Sequence, residues 1–307
     1  MIRFLIRRIV FLALTAAVIV FFVELGMLMA GNSSASVPSF DLDSNAAAAW
    51  DNTRAYLQQL SQGDLGLVEQ GTILVPTVEV LRQAYVNSMG LLLAALAGAM
   101  LIGGTLGALL VLTRLGRITM PVLTLTVLGI STPSFFAALL LQQGEILYLA
   151  ETGKRLVSIA GFGWDLEHML LPLLVLMARP LAYLTRAVYL NLRRVMEADF
   201  VRTARAKGLS LGRTVNVHVL RNAAVPVLTA LGVSLRFSLG SLPVVELFFG
   251  WPGLGNALLQ AVNSRQAVLA VTLALALGMT ILVTNLLLDI IYRLIDPRLR
   301  GEHEADA

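Results

Sequence analysis

The chain has 307 residues, of which 57% are hydrophobic and only 14% charged, with a mean hydropathy of +0.79. Soluble domains carry roughly 45–50% apolar and about 25% charged residues, so this composition belongs to a membrane protein. Cysteine is absent, which excludes disulfides, thiolate metal sites and a cysteine nucleophile, and the three histidines (His168, His218, His303) are too scattered to suggest a ligand cluster. The net charge of +4 and pI near 9.8 fit arginine on loops facing anionic headgroups, a commoner cause in such a chain than nucleic-acid binding.

At the N-terminus, Arg3, Arg7 and Arg8 precede an apolar run over residues 9–30 that is interrupted only by Glu24. The run is too long for the apolar region of a signal peptide, the rival reading, and is taken as a membrane anchor. Residues 31–84 are rich in Ser, Asn, Asp and Gly and read as an external cap region, with a surface helix over 46–60. Uncharged runs of about 20 residues or more, enough for a span, lie between Arg82 and Arg114, Arg117 and Glu145, and Arg265 and Asp289. Two further apolar stretches carry charge: 168–190 holds Arg179 and Arg186, and 223–249 holds Arg236 and Glu246. The expected fold is therefore an all-α membrane protein of six transmembrane helices, divided as 1–30, 31–84 and a core over 85–307. No internal repeat is visible.

Loop charge sets the expected orientation, because cytoplasmic loops collect Lys and Arg. Fifteen of the 23 basic residues fall on the side of the N-terminus and of residues 191–222, and five on the other. Both termini and the 191–222 insert are thus expected in the cytoplasm. Within the insert, residues 197–207 are good helix formers with Glu197 and Asp199 at the start and Arg202, Arg205 and Lys207 towards the end, as the helix dipole favours. Gly208 supplies a stop, and Ser210 a cap for a second helix through Val219, ahead of Arg221. Small residues at Ala204 and Ala206 allow close approach, and the cations offer charge-assisted hydrogen bonds, so the segment suits docking on a soluble partner. By composition, an amphipathic helix resting on anionic lipid is an equal alternative.

The string Glu197-Ala198-Asp199-Phe200-Val201-Arg202-Thr203-Ala204-Arg205-Ala206-Lys207-Gly208-Leu209-Ser210, followed by His218-Val219-Leu220-Arg221-Asn222-Ala223, resembles the coupling loop of ATP-binding cassette importer permeases of the dipeptide/oligopeptide/nickel type. Further strings in the same order are similar to that branch: Ile2 to Arg8, Ser131-Thr132-Pro133-Ser134-Phe135, Glu246 to Gly255, Asn285 to Asp289, and Asp296-Pro297-Arg298. The external region departs from the branch's pattern, Tyr183 stands where an arginine is usual, and Arg236 where glycine is expected. The resemblance implies the ABC type I importer permease fold. It also implies four kinds of partner: a second homologous permease subunit, two ABC ATPase subunits, an external substrate-binding protein, and membrane lipid. The chain itself would be no enzyme and hold no cofactor, with ATP bound by the ATPase subunits, and Gly208 would be the pivotal glycine of the loop. Consistent with an outside energy source, no G-x-x-x-x-G-K-[ST] occurs in the chain.

Arg179 and Arg236 lie well inside apolar stretches, where a cation costs at least about 2.5 kcal/mol unless it meets water or a partner. They are expected either to line the translocation pathway, together with Ser134 and Glu246, or to pair internally with Glu24 or Glu246. Arg236 and Glu246 are ten residues apart, so they meet only if Pro243 breaks the helix. Gly250, Trp251, Pro252 and Gly253 form a compact segment read either as an external gate, with Trp251 among headgroups, or as a rigid turn. Pro133 is expected to kink its helix. An ion-coupled secondary transporter using Glu24, Arg179, Arg236 and Asp289 is the alternative function.

Overall fold

The computed structural model describes residues 2–32, 42–113, 116–214 and 220–295. Five helices are long and apolar enough to cross a membrane, and six spans result if a bent pair counts as one. The chain forms two compact units, neither of them continuous in sequence: residues 1–89 with 250–286, and residues 90–249 with 287–307.

The first unit contains helix α1 (Ile2–Asn32), α2 (Leu42–Ser61), an antiparallel hairpin of β1 (Leu67–Gln70) and β2 (Ile73–Pro76), the first turns of α3 (Thr77–Leu112), α10 (Leu254–Asn263) and most of α11 (Ala267–Ile295). Helix α1 leaves Ile9, Val10, Phe11, Leu14 and Phe22 exposed, as a lipid-facing span requires. Its inner face closes on α11, where a side chain at Gly278 would stand 2.6 Å from Ile19 Cδ1. The helix expected over 46–60 extends to Leu42–Ser61 and packs on α1. Asn52 donates to Glu24 at 3.2 Å, and the Tyr56 and Thr272 hydroxyls share a hydrogen bond at 3.0 Å. Burial is the main cause that raises the Tyr56 phenol above its ordinary pKa. These bonds tie α2 to two spans.

The second unit holds the rest of α3, α4 (Gly116–Ser131), α5 (Ser134–Thr152), α6 (Leu166–Met196), α7 (Asp199–Ala206), α8 (Leu211–Thr214), α9 (Leu220–Phe249) and the end of α11. Helix α6 is its hub. Asp165 caps it by accepting from the His168 backbone N–H, and hydrogen bonds from His168 hold the Asp165 carboxyl below its usual pKa. Pro172 and Pro180 lie inside α6, a combination that membrane helices tolerate when neighbours satisfy the freed backbone. In lipid, helices associate by close packing with no hydrophobic drive between them. Accordingly α3 presents Gly103 and Gly107, one turn apart, to the α6 backbone: an added Cβ would lie 2.7 Å from Leu181 O and 2.5 Å from Thr185 O. On α4, Gly129 similarly faces Ala182.

Two expectations change here. The run between Arg117 and Glu145 is not one straight span but α4 and α5, bent by 107° at residues 132 and 133. Proline cannot donate to the turn before it and disfavours helical geometry in its predecessor, so Pro133 begins a new helix rather than merely bending one. Conversely, Pro243 does not break α9, which is continuous from Leu220 to Phe249. Ten residues of helix span about 15 Å, so Arg236 and Glu246 are held apart.

Gly107→Leu is expected to drive α3 from α6 and to lower the Tm of the detergent-purified protein, at a cost of about 1–3 kcal/mol or more. Gly104→Ala, whose Cβ would meet nothing closer than 4.0 Å, is expected to leave Tm essentially unchanged; equal losses from both would remove the packing explanation.

Candidate translocation cavity and docking segment

The bend between α4 and α5 opens a cavity of about 150 Å³ bounded by the bend, α6 and α9. Arg179 enters from α6, donates to Thr132 O at 3.5 Å, and stacks over the Phe237 ring at 5.7 Å from its centroid. Phe237 in turn meets Tyr183 edge to face at 5.9 Å. Cation–ring contact stabilises a guanidinium without neutralising it, and no acid faces Arg179 among the described residues. Ser134, Ser238 and Ser241 complete the polar lining. Ser241 donates to Phe237 O, whereas Ser238 Oγ is buried with no hydrogen-bond partner among the described residues.

The structure thus brings Arg179 and Ser134 into one cavity but not Arg236 or Glu246. Arg236 forms an ion pair with Asp289 of α11 at 3.5 Å, in place of the suggested Glu24 or Glu246. Both partners are partly exposed, and one turn beyond Asp289 the Tyr292 hydroxyl donates to Thr229 O at 3.3 Å. Glu246 is fully buried. Sequence reasoning missed Phe237, Ser238 and Ser241. Their available signal was the spacing of Ser234, Ser238 and Ser241 along one side of an otherwise apolar helix.

In the first unit, Gly250 adopts φ +63°, a turn that L side chains rarely make. Trp251 is fully buried and does not sit among headgroups: its indole N–H donates to Asn87 O at 3.1 Å. Asn87 Nδ2 donates to Pro252 O at 2.9 Å, Asn256 Nδ2 to Trp251 O at 2.9 Å, and the Leu254 N–H to Ser88 Oγ at 2.7 Å. Four hydrogen bonds therefore fix the Gly250 to Gly253 turn, with α10 starting directly from Gly253.

The first helix of the docking segment is shorter than the expected 197–207. Glu197 caps the C-terminus of α6 and pairs with Arg193, and α7 begins at Asp199. Val201 and Ala204, three apart, turn inwards, and Val201 joins Val188 and Leu192 in a small core. Ala204 therefore belongs to the base of the segment and not to the face that a partner would meet. That face carries Phe200, Arg202, Thr203, Ala206, Lys207 and Gly208, all exposed. Arg202 pairs with Asp199 at 3.6 Å, with both groups so solvated that the pair contributes little. Gly208 has φ +83°, and the Leu209 N–H returns to Ala204 O at 3.2 Å, closing the helix. Ser210 accepts from the Arg213 N–H at 3.4 Å at the head of α8, described only over Leu211–Thr214. The expected continuation to Val219, and His218 with it, lies outside the described residues. Arg205 falls on α7, and Arg221 at the start of α9.

Residues 99–301 match the family model of binding-protein-dependent transport system inner membrane components, a span that takes in the cavity and the docking segment. The chain belongs to this family. It is 35% identical over 251 residues to a putative peptide permease protein of Brucella suis, covering 80% of this chain and 78% of that protein. It is 29% identical over 276 residues to the dipeptide transport system permease protein of Escherichia coli, covering 82% and 81%. A glutathione transport system permease protein of Pectobacterium atrosepticum is 33% identical over 248 residues, covering 80% and 78%. The permease is thus a multi-pass inner membrane component of a binding-protein-dependent transport system.

The Arg236–Asp289 pair of this permease is partly solvated, so a double-mutant cycle with Arg236→Ala and Asp289→Ala is expected to give a coupling of about 1 kcal/mol or less in thermal unfolding. A coupling of several kcal/mol would mean that the pair is sealed from water.

Proposed function

We propose that the permease is one membrane-spanning subunit of an ATP-driven importer of short peptides or closely related small solutes, nickel chelates among them. One observation carries the solute class: relatives aligned over about four-fifths of the chain are named for peptides, dipeptides and glutathione. A second homologous permease completes the pathway, two ATPase subunits bind and hydrolyse ATP, and an external binding protein delivers solute. The permease is not itself the ATPase.

Coupling runs through α7 and its closing turn. An exposed face bearing Phe200, Arg202, Lys207 and Gly208 suits a groove on an ATPase, with the aromatic ring filling an apolar hollow and the cations meeting carboxylates. Val201 fastens the same short helix to the core around Leu192, and Ala204 is buried as well. A push on α7 is therefore delivered to the end of α6, and α6 carries Arg179 at the cavity. This arrangement favours docking over lipid adsorption, because a surface-bound helix needs no inward anchor. The positive-inside bias of the loops supports a cytoplasmic location for this end. The turn at Gly250 to Gly253 serves as the external gate, a rigid corner moved as one piece with α10.

Gly208→Val meets no steric obstacle but must hold φ +83°, which costs a side chain roughly 1–2 kcal/mol. In vesicles holding the assembled importer, it is expected to lower ATP-dependent peptide uptake several-fold while ATP hydrolysis persists. A cysteine-specific crosslinker attached through Lys207→Cys is expected to join the ATPase. Undiminished uptake by the valine variant together with no crosslink would refute the coupling role.

A further inference from the structure

We propose that the cavity at the α4–α5 bend is an anion subsite that receives the terminal carboxylate of the solute as it crosses the permease. The inference rests on the reading of this chain as a peptide carrier and assigns the two intramembrane arginines different work. Arg236 already has a carboxylate in Asp289. Arg179 has a carbonyl at 3.5 Å on one side and an aromatic face on another, which leaves guanidinium N–H donors available in a planar fork that matches a carboxylate.

Two independent features converge on the same space. The first turn of α5 lines the cavity through Ser134 and Ala137, and its cap, Pro133, offers no side-chain hydrogen bond to the turn's free N–H groups. A helix N-terminus carries partial positive charge and unpaired donors. Helices broken inside a membrane use such ends to hold anionic groups in transporters of other architecture. The other feature is Ser238 of the cavity lining, a residue only 1% exposed whose buried hydroxyl has no partner among the described residues. An unmet buried hydroxyl is costly, and a carboxylate oxygen in the cavity would accept from it.

Among the described residues the lining contains no Asp or Glu to compete for Arg179, and Val175, Leu176 and Pro180 keep its walls apolar, which strengthens a charged contact. About 150 Å³ is the size of a cavity that takes a benzene-sized guest. It accommodates one end group and not a whole dipeptide, so the rest of the solute extends out of it.

Because the chain has no native cysteine, Ser241→Cys puts a single thiol on this protein, at the cavity wall. In the assembled complex without its binding protein, the rate of maleimide labelling at position 241 is measured with alanyl-alanine or with alanyl-alanine amide at millimolar concentration. The free acid is expected to slow labelling about tenfold relative to the amide. Arg179→Gln is expected to abolish that difference and Arg179→Lys, which keeps the charge but not the fork, to retain only part of it, with co-purification of the ATPase confirming assembly of each variant. Equal protection by acid and amide, no protection by either, or acid-specific protection that survives Arg179→Gln would each overturn the site. Uptake of alanyl-alanine by the wild-type importer is scored separately. Its failure would count against the peptide reading, while the labelling result alone decides the subsite.

Discussion

Backbone contact between α3 and α6 at Gly103 and Gly107 is the constraint on which the second unit rests. Lipid tails are as apolar as leucine, so helices inside a bilayer gain little by hiding hydrophobic side chains from it. They gain by approaching closely, and the absence of a side chain at these two positions permits backbone atoms to meet. Helix α6 is fixed by that contact, and with it the direction in which Arg179 projects. Gly129 performs the same service for α4, bringing the bend at Pro133 up to the arginine. The cavity is therefore a by-product of helix packing on one side and helix breakage on the other.

The same logic separates the two intramembrane arginines, which composition treats alike. Each must be reconciled with an apolar surrounding, and the solutions differ in kind. Arg236 is neutralised by an acid from α11, a solution that uses up its charge. Arg179 is supported by a carbonyl and a ring, which stabilise the cation while leaving it cationic. Charge that survives folding is what a pathway for zwitterionic or anionic solutes can use.

Much of this was legible in the residues. Apolar run lengths gave the number of spans, and the position of Gly208 after a helix-forming string marked the turn where φ is in fact positive. Pro133 announced a disturbance, but the difference between a kink and a 107° reversal depends on what Arg179 and α6 offer to the liberated backbone, which no local pattern contains. Trp251 was misplaced for a related reason: an amphipathic ring near a helix end suits headgroups by default, and only the folded chain brings Asn87 O to its N–H. Ala204 looked accessible because alanine is small, whereas its position three residues after Val201 on α7 puts it on the inward side. Asp289 escaped as the partner of Arg236 because no local pattern tells which acid of another span faces α9.

Glu24 carries a consequence for the biosynthesis of the chain. This acid lies in α1, and the Asn52 amide that meets it follows 28 residues later. Until that amide has been made, α1 holds a carboxylate with an unmet demand, and settling it requires α2 to fold back against the helix just inserted. Helices α1 and α2 must therefore mature as a pair, so that an insertion error in α1 and a misfolded α2 are two descriptions of one failure.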